Sequence, residues 1–102
     1  MLENEYKTKL TKKIKKKFEG CIITHLDPNE IQGIPDLLIL HNNKWAALEG
    51  KKSSEASHRP LQDYYISKMD KMSFASFIYP ENEKDVLKKL DKFFKGDKDG
   101  VQ

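Results

Sequence analysis

The chain has 102 residues, 34% charged and 37% hydrophobic, with a formal net charge of +3. That is enough for one domain around one apolar core and too little for two. There is no apolar run of the ~20 residues a membrane span needs, no apolar segment behind the lysine-rich start to make a secretory signal, and one cysteine, Cys21, which excludes an internal disulfide and a multi-cysteine zinc site. A reduced, cytoplasmic setting follows as the expectation (host cytoplasm for a viral chain). The charge is uneven. Residues 1–20 hold seven lysines and three glutamates, while the remaining 82 hold 12 basic and 13 acidic residues.

Leu2, Tyr6, Leu10, Ile14 and Phe18 recur every four residues and predict an amphipathic first helix, with lysines on its other faces and Gly20 closing it. The β-branched run Cys21–Thr24 predicts a buried strand. Asp27-Pro28-Asn29 and Gly33 mark a loop. Residues 36–40 and 45–51 predict two strands joined at Asn42-Asn43, a pair able to take positive φ in a tight hairpin. A polar loop covers 53–58. Pro60 suits the first turn of a helix running to about Met72. A fourth strand is expected over 73–79, ended by Pro80, and a last helix over 83–95. The tail from Gly96 to Gln102 is expected to be loose, so the domain is placed at 1–95. The order is α-β-β-β-α-β-α, an α/β arrangement with a mixed four-stranded sheet and helices packed on it.

The hairpin carries the chemistry. With Asn42 and Asn43 as its two loop residues, Leu40 faces Trp45, Leu38 faces Ala47, and Asp36 faces Glu49. Side chains alternate along a strand, so Asp36, Glu49 and Lys51 share one face. Two opposed carboxylates repel and are costly beside apolar neighbours. A shared proton, the Lys51 ammonium or a divalent cation would compensate. All-oxygen ligands favour Mg²⁺ or Mn²⁺ over zinc, and a nearby lysine would orient a water or stabilise charge on a phosphate.

Pro35-Asp36, twelve intervening residues, then Glu49-Gly50-Lys51 resembles the PD-(D/E)xK nuclease signature. The wider stretches Gln32–Leu38 and Ala47–Lys52, with Gln62 early in the next helix, resemble the virus-type replication-repair nucleases, the VRR-Nuc family, in their small stand-alone phage-like form. The resemblance covers about residues 3–95. It implies a restriction-endonuclease-like αβββαβ core with an added C-terminal helix. It also implies Mg²⁺, with Mn²⁺ as substitute, held by Asp36, Glu49 and the Gly50 carbonyl, with Lys51 as catalytic lysine and Gln62 beside the site. A first-helix glutamate often completes such sites; Glu3 and Glu5 both qualify, and Glu5 is preferred. Gly50 departs from the usual apolar residue at its position, which loosens the strand.

Other residues are expected at the edges of the site. The lysines at 7, 9, 12, 13, 15, 16 and 17 are candidates for DNA phosphate contact, led by Lys12, Lys13 and Lys16. Ser53, His58 and Arg59 follow the catalytic strand and could meet a phosphate. His41 is expected to face solvent. One of Tyr64 and Tyr65 is expected in the core with Leu61, Met69 and Met72. The implied activity is metal-dependent DNA endonucleolysis, selective for branched DNA in the manner of a Holliday-junction resolvase. Two matched cuts would call for a two-fold homodimer, with its interface on the last helix or the hairpin edge. The alternatives are a general or nicking nuclease, and a non-catalytic DNA-binding replication accessory protein.

Overall fold

The computed structural model describes residues 1–96, so the tail expected at 96–102 lies outside the described residues apart from Gly96. In chain order the elements are α1 (Glu3–Lys17), β1 (Ile22–His25), β2 (Leu37–His41), β3 (Lys44–Gly50), α2 (Pro60–Met72), β4 (Ala75–Ile78) and α3 (Glu83–Phe94). The expected order holds, with boundaries one or two residues away from those expected. The four strands form one mixed sheet in the order β1-β2-β3-β4. The first two pairings are antiparallel and β3–β4 is parallel, joined by the crossover helix α2.

The hairpin register is the one its turn dictates. Asn42 and Asn43 have φ of 52° and 63°, the left-handed pair that matches the twist of a two-residue hairpin. Leu40 pairs with Trp45 and Leu38 with Ala47. The alternation of faces follows. Leu37, Ile39, Ala46 and Leu48 are buried under α1 and α3. From α1 come Tyr6, Leu10, Ile14 and Phe18; from α3 come Val86, Leu90 and Phe94.

The opposite face is covered only in part. Helix α2 lies over β3 and β4, above the small paired residues Ala47 and Ala75, both buried. It buries no residue of its own fully. The expected tyrosine core is therefore replaced by a shallow contact: Leu61, Tyr64 and Met72 are exposed. Alanines leave no deep groove to receive larger side chains.

Four further expectations change. Leu2 is exposed, because it precedes α1 instead of lying in its apolar row. Cys21 and β1 are not buried: β1 is an edge strand with a mostly exposed pattern, and Ile22 is 61% exposed. His41 does not face solvent but packs between Phe18 and Phe94, with ring centroids 5.8 and 5.2 Å away. The apolar side of α3 is turned into the core, so it is not available as a dimer face.

Candidate active site

The β2–β3 ladder stops at Leu37–Leu48, one residue short of the expected acidic pair. Asp36 continues it differently. Its carbonyl accepts from Leu26 N–H at 2.9 Å, and its own N–H donates to Glu49 Oε1 at 3.0 Å. The two acids are thus tied to each other at the end of the sheet. Glu49 is only 4% exposed. Burial pushes its carboxyl above the ordinary value, against the opposing pull of Lys7 and Lys51, while the Asp36 charge adds to the rise.

Lys51 follows β3 directly. Its N–H donates to Ile78 O at 2.9 Å, prolonging the parallel ladder and aiming a buried side chain, 6% exposed, beside the acids. The ammonium donates to Gln62 Oε1 at 2.9 Å. The same oxygen accepts from Arg59 N–H at 3.1 Å, at the start of α2. Gln62 therefore joins the end of β3 to the helix on the opposite face. Asp36, Glu49, Lys51, Gln62, Arg59, Glu3 and Lys7 line one cleft of about 370 Å³, closed on its far side by Pro28, Asn29 and Gln32 of the long loop.

The first-helix residues depart from expectation. Glu5 is not at the site: its carboxylate accepts from Leu2 N–H at 3.1 Å and caps α1. Glu3, half a turn earlier, is the glutamate that lines the cleft, and its Oε1 accepts from Lys52 N–H at 3.3 Å. Lys7, expected only as one of several surface lysines, reaches into the site. Its Nζ lies 3.6 Å from Asp36 Oδ2, 3.8 Å from Glu49 Oε2 and 3.8 Å from Glu3 Oε2. Two sequence signals mark it: the position one turn after Glu3, and the missing side chain at Gly50.

Among the described residues, no group of three or more His, Cys, Asp or Glu side chains is arranged to hold a metal. What is present is a pair of carboxylates, Asp36 and Glu49, converging on one ammonium. That donor set is all oxygen, it surrounds a point already bearing a cation, and its two charges need compensation. It fits a hard divalent ion.

Of the expected DNA contacts, Arg59 is in the cleft. Lys12 lies on a second groove of about 460 Å³ that adjoins Asp36 and also holds Lys15, Thr8 and Thr11. Lys13 does not face this side: it pairs with Glu83 at 2.6 Å, beside the Tyr6 hydroxyl that donates to the same carboxylate at 2.8 Å. Lys16 is exposed but lines neither groove. Ser53 accepts from Glu55 N–H in a local turn. His58 stacks on Phe77, centroids 3.9 Å apart, and meets Asp63 at 3.0 Å. Both are engaged within the chain, because the 53–58 loop folds back on itself and on β4.

This is a mixed four-stranded sheet with an acidic pair, a lysine and a glutamine gathered at one end. Comparison with solved structures finds the same fold in a chain titled "VRR_NUC domain protein". The TM-score is 0.69 and the identity 21%, covering 99% of this chain and 95% of that one. The fold is thus that of a VRR-Nuc domain. Comparisons with protein-family models and with curated proteins found no match. Among the described residues no helix is long and apolar enough to cross a membrane.

Proposed function

We propose that the chain is a metal-dependent DNA endonuclease of the PD-(D/E)xK kind, acting on branched DNA in the manner of a Holliday-junction resolvase. The observation that carries this reading is the convergence of Asp36, Glu49, Lys51 and Gln62 in one cleft of a VRR-Nuc fold. Asp36, Glu49 and the Gly50 carbonyl would hold Mg²⁺ or Mn²⁺. When bound, such an ion lowers the pKa of water and offsets charge on a phosphate. Lys51, steadied by Gln62 at 2.9 Å, orients the attacking water and meets the charge that grows on the phosphate oxygens. The water oxygen would bond to phosphorus as the bond to the leaving oxygen breaks in line; the water's proton would pass to solvent in the open cleft, and the leaving oxygen would take a proton from solvent. Arg59 lines that cleft and takes a flanking phosphate.

The groove beside Asp36 supplies the track for the strand. Lys12 and Lys15 line it, so they supersede Lys13 and Lys16 as the leading phosphate contacts. Removing both charges, as Lys12→Ala with Lys15→Ala, should weaken DNA binding across sequences. The slope of log affinity against log salt should fall by about 1–2. Titrations of labelled DNA over a salt series measure this; an unchanged slope would remove the groove from the interface.

Two matched cuts in a four-way junction imply a homodimer. The paired row of exposed Ile22 and Leu40 with half-buried Trp45, on one face of the sheet, is the apolar surface available for it. The deciding experiment incubates the protein with four-way, flap, nicked and linear DNA in Mg²⁺, Mn²⁺ or EDTA, beside Lys51→Ala. The expected result is cutting of the four-way junction in either metal, none in EDTA, and loss of cutting with binding retained in Lys51→Ala. Cutting by Lys51→Ala at the wild-type rate would overturn the site assignment. Equal cutting of linear duplex would replace the resolvase reading by that of a general nuclease.

A further inference from the structure

Among the described residues Lys7 is the one cation that stands against both site carboxylates and a third acid at once, at 3.6 Å from Asp36 and 3.8 Å from Glu49 and Glu3. Its side chain is drawn from α1, on the far side of the sheet from α2. It reaches the acids only because β3 ends in Gly50. A Cβ built at that position would stand 3.0 Å from Lys7 Cγ and 3.6 Å from Cε. The stem of Lys7 therefore lies across the bare backbone of Gly50, in the volume a side chain would fill. Gly50 has no positive φ to account for its presence; the close approach of Lys7 is what its missing side chain permits.

We propose that Lys7 is a tethered counter-ion occupying the metal position, so that a divalent ion binds by displacing its ammonium, with Gly50 as the residue that admits it. This rests on the reading of Asp36 and Glu49 as metal ligands. The charge count supports exchange over coexistence. Glu3, Asp36 and Glu49 face Lys7, Lys51 and Arg59 in the cleft, so the two signs already balance. A divalent ion added beside Lys7 would bring two positive charges against an ammonium on the same oxygens. The displaced side chain has a place to go, since Lys7 also lines the neighbouring groove with Thr8, Thr11, Lys12 and Lys15. There it would meet a DNA phosphate. Lys7 thus sets the metal affinity and holds the two acids together in the absence of metal. Because coupling between two occupants is reciprocal, removing one must strengthen the other.

The test measures Mn²⁺ binding without DNA, by calorimetry or by the spin-resonance signal of free Mn²⁺. The wild type is compared with Lys7→Met, Gly50→Val and Asp36→Asn. Lys7→Met should bind Mn²⁺ at least about fivefold more tightly than wild type. Gly50→Val, which keeps the charge but excludes the stem, should do the same, and it carries the test should Lys7→Met fail to fold. In EDTA, Lys7→Met should melt below wild type, and saturating Mn²⁺ should close the gap. Equal or weaker Mn²⁺ binding by both variants, with binding lost in Asp36→Asn, would overturn the role of Lys7 while leaving the metal site standing. Binding by Asp36→Asn at wild-type strength, or by none of the proteins, would remove the metal site and the proposal with it.

Discussion

Glu49→Gln is expected to end cleavage and yet leave the metal-free protein more stable than wild type at neutral pH. On the proposed reading, the loss of cutting follows from removing a charged oxygen ligand of the metal. Several kcal/mol of transition-state stabilisation are at stake, which is roughly 10³-fold or more in rate. The gain in stability follows from burial. Glu49 is 4% exposed, and desolvation raises its pKa despite Lys7 and Lys51. Its folded value therefore lies above its unfolded one. The corresponding stability is fully present below the unfolded value and is lost as pH rises through the folded value. Gln stays neutral throughout, and its Oε1 can still accept from Asp36 N–H, which Glu49 does at 3.0 Å. The advantage of the variant should thus open as pH rises and vanish in acid. Melting curves of both proteins in EDTA, from about pH 4 to pH 8 across the ordinary glutamate range, check this. A wild type that melts higher at neutral pH would show that the lysines outweigh burial.

Gly33→Ala is expected to be the most damaging change in the long loop. Gly33 has a φ of +90°, which an L side chain adopts only with strain of about 1–3 kcal/mol. An added Cβ would also stand 2.4 Å from Leu61 Cβ and 2.7 Å from the Leu61 carbonyl carbon. That is a collision with the first turn of α2, not with a flexible side-chain end, and overpacking of this kind costs about 1–3 kcal/mol more. Together they should lower the melting temperature by about 10 °C or more for a domain of this size. Cleavage should fall as well, because Leu61 adjoins Gln62, which holds Lys51. The long loop and α2 form opposite walls of the cleft; pushing them apart moves Asp36 relative to the lysine. Unchanged melting and cutting would mean that the contact between Gly33 and α2 is not needed.

The features legible in the sequence are those governed by neighbours along the chain. The Asn42-Asn43 turn set the pairing of β2 with β3, because a two-residue loop leaves one register and strand alternation then assigns every face. Asp36 and Glu49 could be brought together on that basis alone, since the hairpin is local. The row Tyr6, Leu10, Ile14 and Phe18 likewise marked the buried side of α1 through its own period. Gln62 was set beside the site by the family resemblance, and Pro60 at the helix start put it in the first turn of α2.

What only the tertiary structure decided was how separate elements meet at the site. Glu3 and Glu5 lie two residues apart on one helix, and which of them faces the cleft depends on the rotation of α1 over the sheet. The same rotation turns Lys12 and Lys15 toward Asp36 and Lys13 toward Glu83 of α3. Helix α2 shows an apolar pattern, but how deeply it sinks is set by the alanines beneath it on β3 and β4. Lys7 is the clearest case. A long flexible side chain has no period to betray its target, and its path exists because a residue 43 positions later has no side chain to block it. The chain's local order brought two acids into opposition; packing from a distant helix supplied the charge that holds them there.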